Sequence, residues 1–163
     1  MRNIILILFL SNFASCINPP NVKTGFEGSL LPEFKLLLLD SSSYINTANI
    51  KNGKPIVLFY FSPRCPYCRA QTEEIISNIN SLKDLQFYIF STYPFDEIKN
   101  YYSRFQLKEF PNIIVGRDYN FFFEGYFRTN QVPFMAIYTK EKQFSQVLIG
   151  KVNVNQIKKI ALR

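Results

Sequence analysis

A chain of 163 residues with 47% apolar and 19% charged side chains has the material for one domain with a substantial core, which excludes an intrinsically disordered protein. Its formal charge of +7 raises the question of nucleic acid. The lysines and arginines are scattered, with no run longer than Lys158-Lys159 and no stripe interleaved with aromatics, so the charge reads as solvated surface on a protein near anionic lipid. The absence of histidine excludes His-ligated metal sites, Ser–His and Cys–His catalysis and the usual near-neutral proton shuttle.

Met1-Arg2 gives a basic start, and Ile4 to Leu10 is unbroken apolar sequence. That run is shorter than the roughly 18 to 20 residues that span a bilayer, and it suits the apolar region of a signal peptide. Phe13-Ala14-Ser15-Cys16 follows, and small residues directly before a cysteine resemble a bacterial lipobox. The resemblance implies cleavage after residue 15 and lipidation of Cys16, with Phe13 standing where leucine is usual; the alternative is a plain secretory signal cleaved nearby. A lipid on Cys16 anchors the chain to a membrane without spanning it. The expected organisation is therefore a signal peptide over 1–15, an extended linker over 16–27 and one folded domain over 28–163.

Within that domain Leu36 to Leu39 reads as a strand, followed by a turn at Ser41-Ser42-Ser43 and a short second strand. Asn52-Gly53-Lys54-Pro55 is a turn signal. It leads into Ile56 to Phe61, a β-branched and aromatic run that fits a strand covered on both faces. Pro63 and Pro66 break the extended pattern, and Pro66 stands where a helix tolerates proline, in its first turn. From Pro66 to about Ser81 the apolar residues Ile75, Ile76, Ile79 and Leu82 recur at helical spacing, with Arg69, Gln71, Glu73 and Glu74 mostly on other faces. Leu85 to Phe90 is the next strand, parallel to the first in a right-handed β-α-β unit.

Asp96 to Gln106 follows as a helix with Asp96 at or near its N-cap. Asn112 to Val115 is a short strand ended by Gly116, and Asp118 to Tyr126 is an aromatic-rich helical segment. Phe134 to Tyr138 is a strand, Lys140-Glu141-Lys142 a turn, and Phe144 to Ile149 pairs back antiparallel. A last helix runs from Asn153 to Leu162. Seventeen Phe and ten Tyr without Trp imply a core packed by rings.

Cys65-Pro66-Tyr67-Cys68 places two thiols three residues apart at a strand-to-helix junction. There the exposed N–H groups and the positive end of the dipole stabilise a thiolate. Cys65, the first of the pair, is expected to be the more exposed, with the lower pKa, and to act as nucleophile, helped by Arg64 and Arg69. Cys68, one turn inside, is expected to resolve the mixed disulfide. The competing reading is a structural disulfide that staples the turn, although so short a loop constrains little chain entropy. A metal site would need more ligands than the sequence offers here.

Strand, Cys65-Pro66-Tyr67-Cys68, helix and a later Val132-Pro133 before another strand together resemble the thioredoxin fold. The branch they resemble is the TlpA-like or ResA-like extracytoplasmic thiol–disulfide proteins, relatives of the AhpC/TSA peroxiredoxins. Gly28-Ser29-Leu30-Leu31-Pro32-Glu33-Phe34 through Asp40 resembles the N-terminal extension of the TlpA-like proteins. The resemblance implies an α/β fold, a three-layer α/β/α arrangement with a mixed central sheet and an N-terminal β extension. It also implies that Pro133 is a cis-proline facing the cysteines, that Val132 pairs with an extended substrate segment, and that Pro66 and Tyr67 contact substrate. No cofactor is implied.

The partners expected on this basis are protein thiols and disulfides, a membrane electron donor and, through Cys16, the membrane, on the periplasmic side of a bacterial envelope. Two features depart from the family. Thioredoxins commonly carry an acidic residue six positions before the first cysteine, where Phe59 stands here, and the ResA-like motif carries Glu between its cysteines, where Pro66-Tyr67 stands. A thiol peroxidase is a second reading, weakened because its Pro-x-x-x-Thr/Ser-x-x-Cys pattern meets Ser62 but also Leu58. A redox-inert binding module is the third.

Overall fold

The computed structural model describes residues 23–163; the expected signal segment, Cys16 and the first part of the linker lie outside them. Among the described residues there are seven strands: β1 (Lys35–Leu38), β2 (Tyr44–Asn46), β3 (Ile56–Tyr60), β4 (Gln86–Ser91), β5 (Ile113–Arg117), β6 (Phe134–Tyr138) and β7 (Phe144–Ile149). Four α-helices accompany them: α1 (Pro66–Ser77), α2 (Phe95–Arg104), α3 (Phe122–Phe127) and α4 (Val154–Ala161). One sheet takes all the strands in the order β2-β1-β5-β4-β3-β6-β7. β3 pairs parallel with β4 and β4 with β5, while β6, β7, β1 and β2 join antiparallel. The sheet is mixed, as the family resemblance implies.

β3 is buried at all five positions, and its period-2 alternation divides the core in two. Val57 and Phe59 join Ile75 of α1, Ile98 and Tyr101 of α2, and Ile157 and Ile160 of α4 on one face. Ile56, Leu58 and Tyr60 join Phe123 of α3 and Phe34 and Phe144 on the other. That second core is built from rings: Phe123 meets Phe90 edge-on at 5.1 Å and Phe134 at 5.5 Å, while Phe34 stacks on Phe122 at 4.9 Å. Tyr60 donates to Glu124 of α3 and pairs with Thr92 at 3.2 Å, so the end of β3 is tied to the helix lying over it. Packed structure begins ahead of Gly28, because Phe26 stacks on Tyr126 at 4.5 Å and meets Phe127 edge-on.

Three expectations are corrected by tertiary structure. The helix after the cysteines stops at Ser77, and Ile79–Leu82 continue as a 3-10 turn. Gln71 is fully buried, because its Oε1 accepts the Val152 N–H at 2.7 Å and so fixes the segment entering α4. The segment expected over Asp118 to Tyr126 is helical only over Phe122–Phe127, because the Asp118 carboxylate lies ahead of the helix and accepts the Phe122 and Phe123 N–H groups. Asp96 lies near the N-cap of α2, as expected, in the first turn after Pro94.

Gly116 does not end its strand; it lies within β5 opposite Leu38. A Cβ at this position would sit 3.0 Å from the Leu37 carbonyl oxygen and 3.2 Å from the Leu36 Cβ. Glycine lets the N-terminal extension approach the parallel sheet. In an ordinary strand an alanine would be the more stable choice, but here the contact reverses the sign. Gly116→Ala is expected to lose about 1–3 kcal/mol of stability by overpacking, read from the urea midpoint; an unchanged or raised midpoint would refute this account.

Candidate active site

β3 delivers the chain to a tight turn at Ser62-Pro63-Arg64. The Cys65 N–H donates to the Ser62 carbonyl at 3.1 Å, and the Arg64 N–H meets the Ser62 Oγ at 3.3 Å. Cys65 is the N-cap of α1, in an extended conformation and with no side-chain capping bond, and Pro66 is the first helical residue. Proline fits there because the first N–H groups of a helix have no intrahelical acceptor in any case. Cys68 then lies one turn inside.

The two thiols occupy different environments. Cys65 is partly exposed and Cys68 fully buried, with no disulfide between them. Burial pushes the Cys68 thiol far above the ordinary range, the neighbouring Cys65 adds to the effect, and hydrogen bonding from the Ser62 backbone works against it. Cys68 therefore stays protonated around neutrality. The Cys65 Sγ faces the Val132 carbonyl oxygen at 3.8 Å. The Val132–Pro133 peptide bond is cis, and the Pro133 carbonyl accepts the Gly150 N–H at 2.8 Å, which fixes this loop to the end of β7.

Cys65, Cys68, Val132 and Pro133 thus meet at the end of β3, and Pro66 and Tyr67 form an exposed rim beside them, with Tyr67 66% exposed. Cys16 lies outside the described residues. Phe59 is fully buried against Phe61, with ring centroids 6.2 Å apart, so apolar packing occupies the position of the thioredoxin acid. Leu58, where the peroxidase pattern requires proline, is a fully buried residue of β3.

Arg64 and Arg69 are both at the site but hold structure as well as charge. The Arg64 guanidinium is bidentate to Glu97 of α2, at 2.8 and 2.7 Å. That hydrogen-bonded pairing raises the Arg64 pKa and holds the Glu97 carboxyl below the usual range. Arg69 donates from Nη1 to the Pro63 and Arg64 carbonyls at 3.3 and 3.1 Å, clasping the turn that precedes Cys65. Sequence reasoning missed Glu97, Tyr101 and Thr72. The Tyr101 hydroxyl donates to the Cys68 carbonyl at 3.0 Å and pairs with the Thr72 hydroxyl at 2.7 Å, a buried link between α1 and α2. Its one sequence signal is a threonine at a position that helical spacing turns inward.

These features coincide with what comparison with known proteins shows. The profile of the thioredoxin-like domain family matches residues 46–160. The chain belongs to the thioredoxin-like family. Among curated proteins nothing matches it.

Solved structures share the fold. One is a secreted disulfide oxidoreductase of Mycobacterium tuberculosis homologous to E. coli DsbE, at 17% identity and TM-score 0.64, covering 77% of this chain and 92% of that one. Another is DsbF of the same organism in mixed oxidised and reduced forms, at 18% identity and TM-score 0.65, covering 77% and 90%. StoA of Bacillus subtilis matches at 11% identity and TM-score 0.60, covering 78% and 95%.

Proposed function

We propose that this protein is a membrane-anchored thiol–disulfide oxidoreductase that exchanges disulfides with periplasmic protein cysteines through Cys65 and Cys68, as a reductant. The observation that carries the reading is the asymmetry of the pair. A partly exposed thiol caps a helix against the cis Val132–Pro133 loop, and its partner is buried one turn behind. In the reductive direction the Cys65 thiolate attacks a substrate disulfide, forming a mixed disulfide and expelling one substrate thiolate. Cys68 then gives up its proton and attacks the Cys65 sulfur, closing the Cys65–Cys68 disulfide and releasing the second substrate thiolate. The two electrons lost by the pair are those gained by the substrate. Return to the dithiol falls to a membrane electron donor.

The lipobox-like Phe13-Ala14-Ser15-Cys16 supports both the anchor and a location outside the cytoplasm, where disulfides persist. An extended substrate segment laid against Val132 gains backbone hydrogen bonds, and Tyr67 offers an exposed ring beside it. The test is the equilibrium potential of the domain, started after Cys16 and titrated against glutathione and dithiothreitol. A value near or below about −250 mV is expected for a reductant; one above about −150 mV would make the protein an oxidant.

A further inference from the structure

Between the turn that precedes Cys65 and α2 lies an open cleft of about 210 Å³ lined by Arg64, Arg69 and Arg104 together with Glu97 and Asn100. The charge in it is unbalanced. Glu97 is committed to Arg64 by two short hydrogen bonds. Arg69 uses only Nη1, on two backbone carbonyls. Arg104, exposed in the last turn of α2, has no hydrogen-bond or ion-pair partner among the described residues and lies against the Phe105 ring at 5.6 Å. Two guanidinium groups therefore line the cleft with donors unused and no carboxylate paired to them among the described residues. The cleft has room for one or two side chains, and a guanidinium fork matches a carboxylate in two parallel hydrogen bonds. Its position is set by the site itself, since Pro63 and Arg64 form one wall and directly precede Cys65.

We infer that this cleft is a substrate subsite that receives an aspartate or glutamate side chain lying next to the reacting cysteine of the substrate polypeptide. The inference rests on the thiol–disulfide reading above and adds a preference to it. A substrate whose cysteine reacts with Cys65 would bring a neighbouring carboxylate to the cleft that Pro63 and Arg64 wall, where Arg69 and Arg104 stand. Arg104 touches neither cysteine, so it is a specificity residue that can be removed without disturbing the turn.

The experiment uses the full chain carrying Cys16→Ser and Cys68→Ser, which leaves Cys65 as its only thiol. The probes are cysteine peptides activated as 2-pyridyl disulfides and identical except for Glu, Gln or Lys beside the cysteine. Cys65 thiolate attacks the peptide sulfur, the sulfur–sulfur bond to the pyridyl group breaks, and uncharged thiopyridone leaves after taking up a proton. Its absorbance gives the rate.

The Glu peptide is expected to react about five-fold faster than the Gln peptide, the span of a well-placed exposed ion pair, with the Lys peptide slowest. Arg104→Gln should remove most of that advantage without changing the Gln rate. Lys51→Gln carries the same change of net charge at the far end of β3 and should leave the advantage intact. Equal rates for the three peptides, or equal effects of Arg104→Gln and Lys51→Gln, would overturn the subsite while leaving exchange itself established. No mixed disulfide with any peptide would overturn both this subsite and the function on which it rests.

Discussion

Cys65→Ser is expected to lower the rate of protein disulfide reduction by at least about a thousandfold, whereas Cys68→Ser stops the reaction one step later with substrate covalently held. The difference follows from the two environments. Cys65 is the partly exposed thiol at the helix start, and a hydroxyl in its place does not attack a disulfide. Cys68 is fully buried, and burial pushes its thiol so far up that it remains protonated around neutrality. It reacts only once the adjacent sulfur has become part of a mixed disulfide. Non-reducing gels with a disulfide substrate should therefore show a stable, dithiothreitol-sensitive adduct for Cys68→Ser and none for Cys65→Ser. An intact cellular phenotype for Cys65→Ser would instead favour a binding module that uses the fold without the couple. A Cys68→Ser variant that turns over without accumulating adduct would remove the resolving role from Cys68.

The parts of this molecule legible in the sequence are those specified locally. Ile56 to Phe61 and Phe134 to Tyr138 are apolar runs, and they appear as β3, one residue shorter, and as β6 with the same bounds. The final helix was marked by Asn153, which caps it in a reciprocal box with Gln156. Pro66 marks a helix start for a different local reason, since its missing N–H costs nothing in a first turn. The features that escaped depend on partners distant in the chain.

Gln71 reads as a surface residue because nothing near it in sequence shows that the Val152 N–H will need an acceptor. Gly116 reads as a terminator because glycine weakens strands, and only the approach of Leu36 and Leu37 makes it necessary inside one. Arg104 is a third case. Helical spacing gives it an exposed position, and only the packing of α2 against the turn before Cys65 brings it to a cleft walled by Pro63 and Arg64. The family resemblance supplied what local pattern could not, the meeting of Val132-Pro133 with Cys65 across 67 residues.

Phe59→Asp, which restores the side-chain class that thioredoxins commonly carry six residues before the first cysteine, is expected to damage this protein severely. Phe59 has no exposed surface and packs in the core that also holds Phe61, Cys68 and Met135. Removing the ring leaves a cavity, which alone costs about 3–5 kcal/mol for Phe→Ala exchanges. A carboxyl group left there without a hydrogen-bond partner adds a further penalty of about 1–3 kcal/mol. The sum is a large fraction of the stability of an ordinary domain.

The pH dependence identifies the cause. Burial raises the pKa of the introduced carboxyl above its unfolded value of about 3.9. Its folded form is then favoured below that value, and the contribution is lost as pH rises through the folded pKa. The variant should be weaker at pH 8 than at pH 5 by more than the parent protein is, in paired urea titrations. Phe59→Leu, which keeps an apolar group of similar size, should cost less than about 1.5 kcal/mol and show no added pH dependence. If Phe59→Asp instead unfolds within about 1 kcal/mol of the parent at both pH values, water or an unrecognised partner reaches this position. The buried thiol would then have a route for its proton past the apolar packing around Phe59, and the second step of the exchange would have to be rewritten around that route.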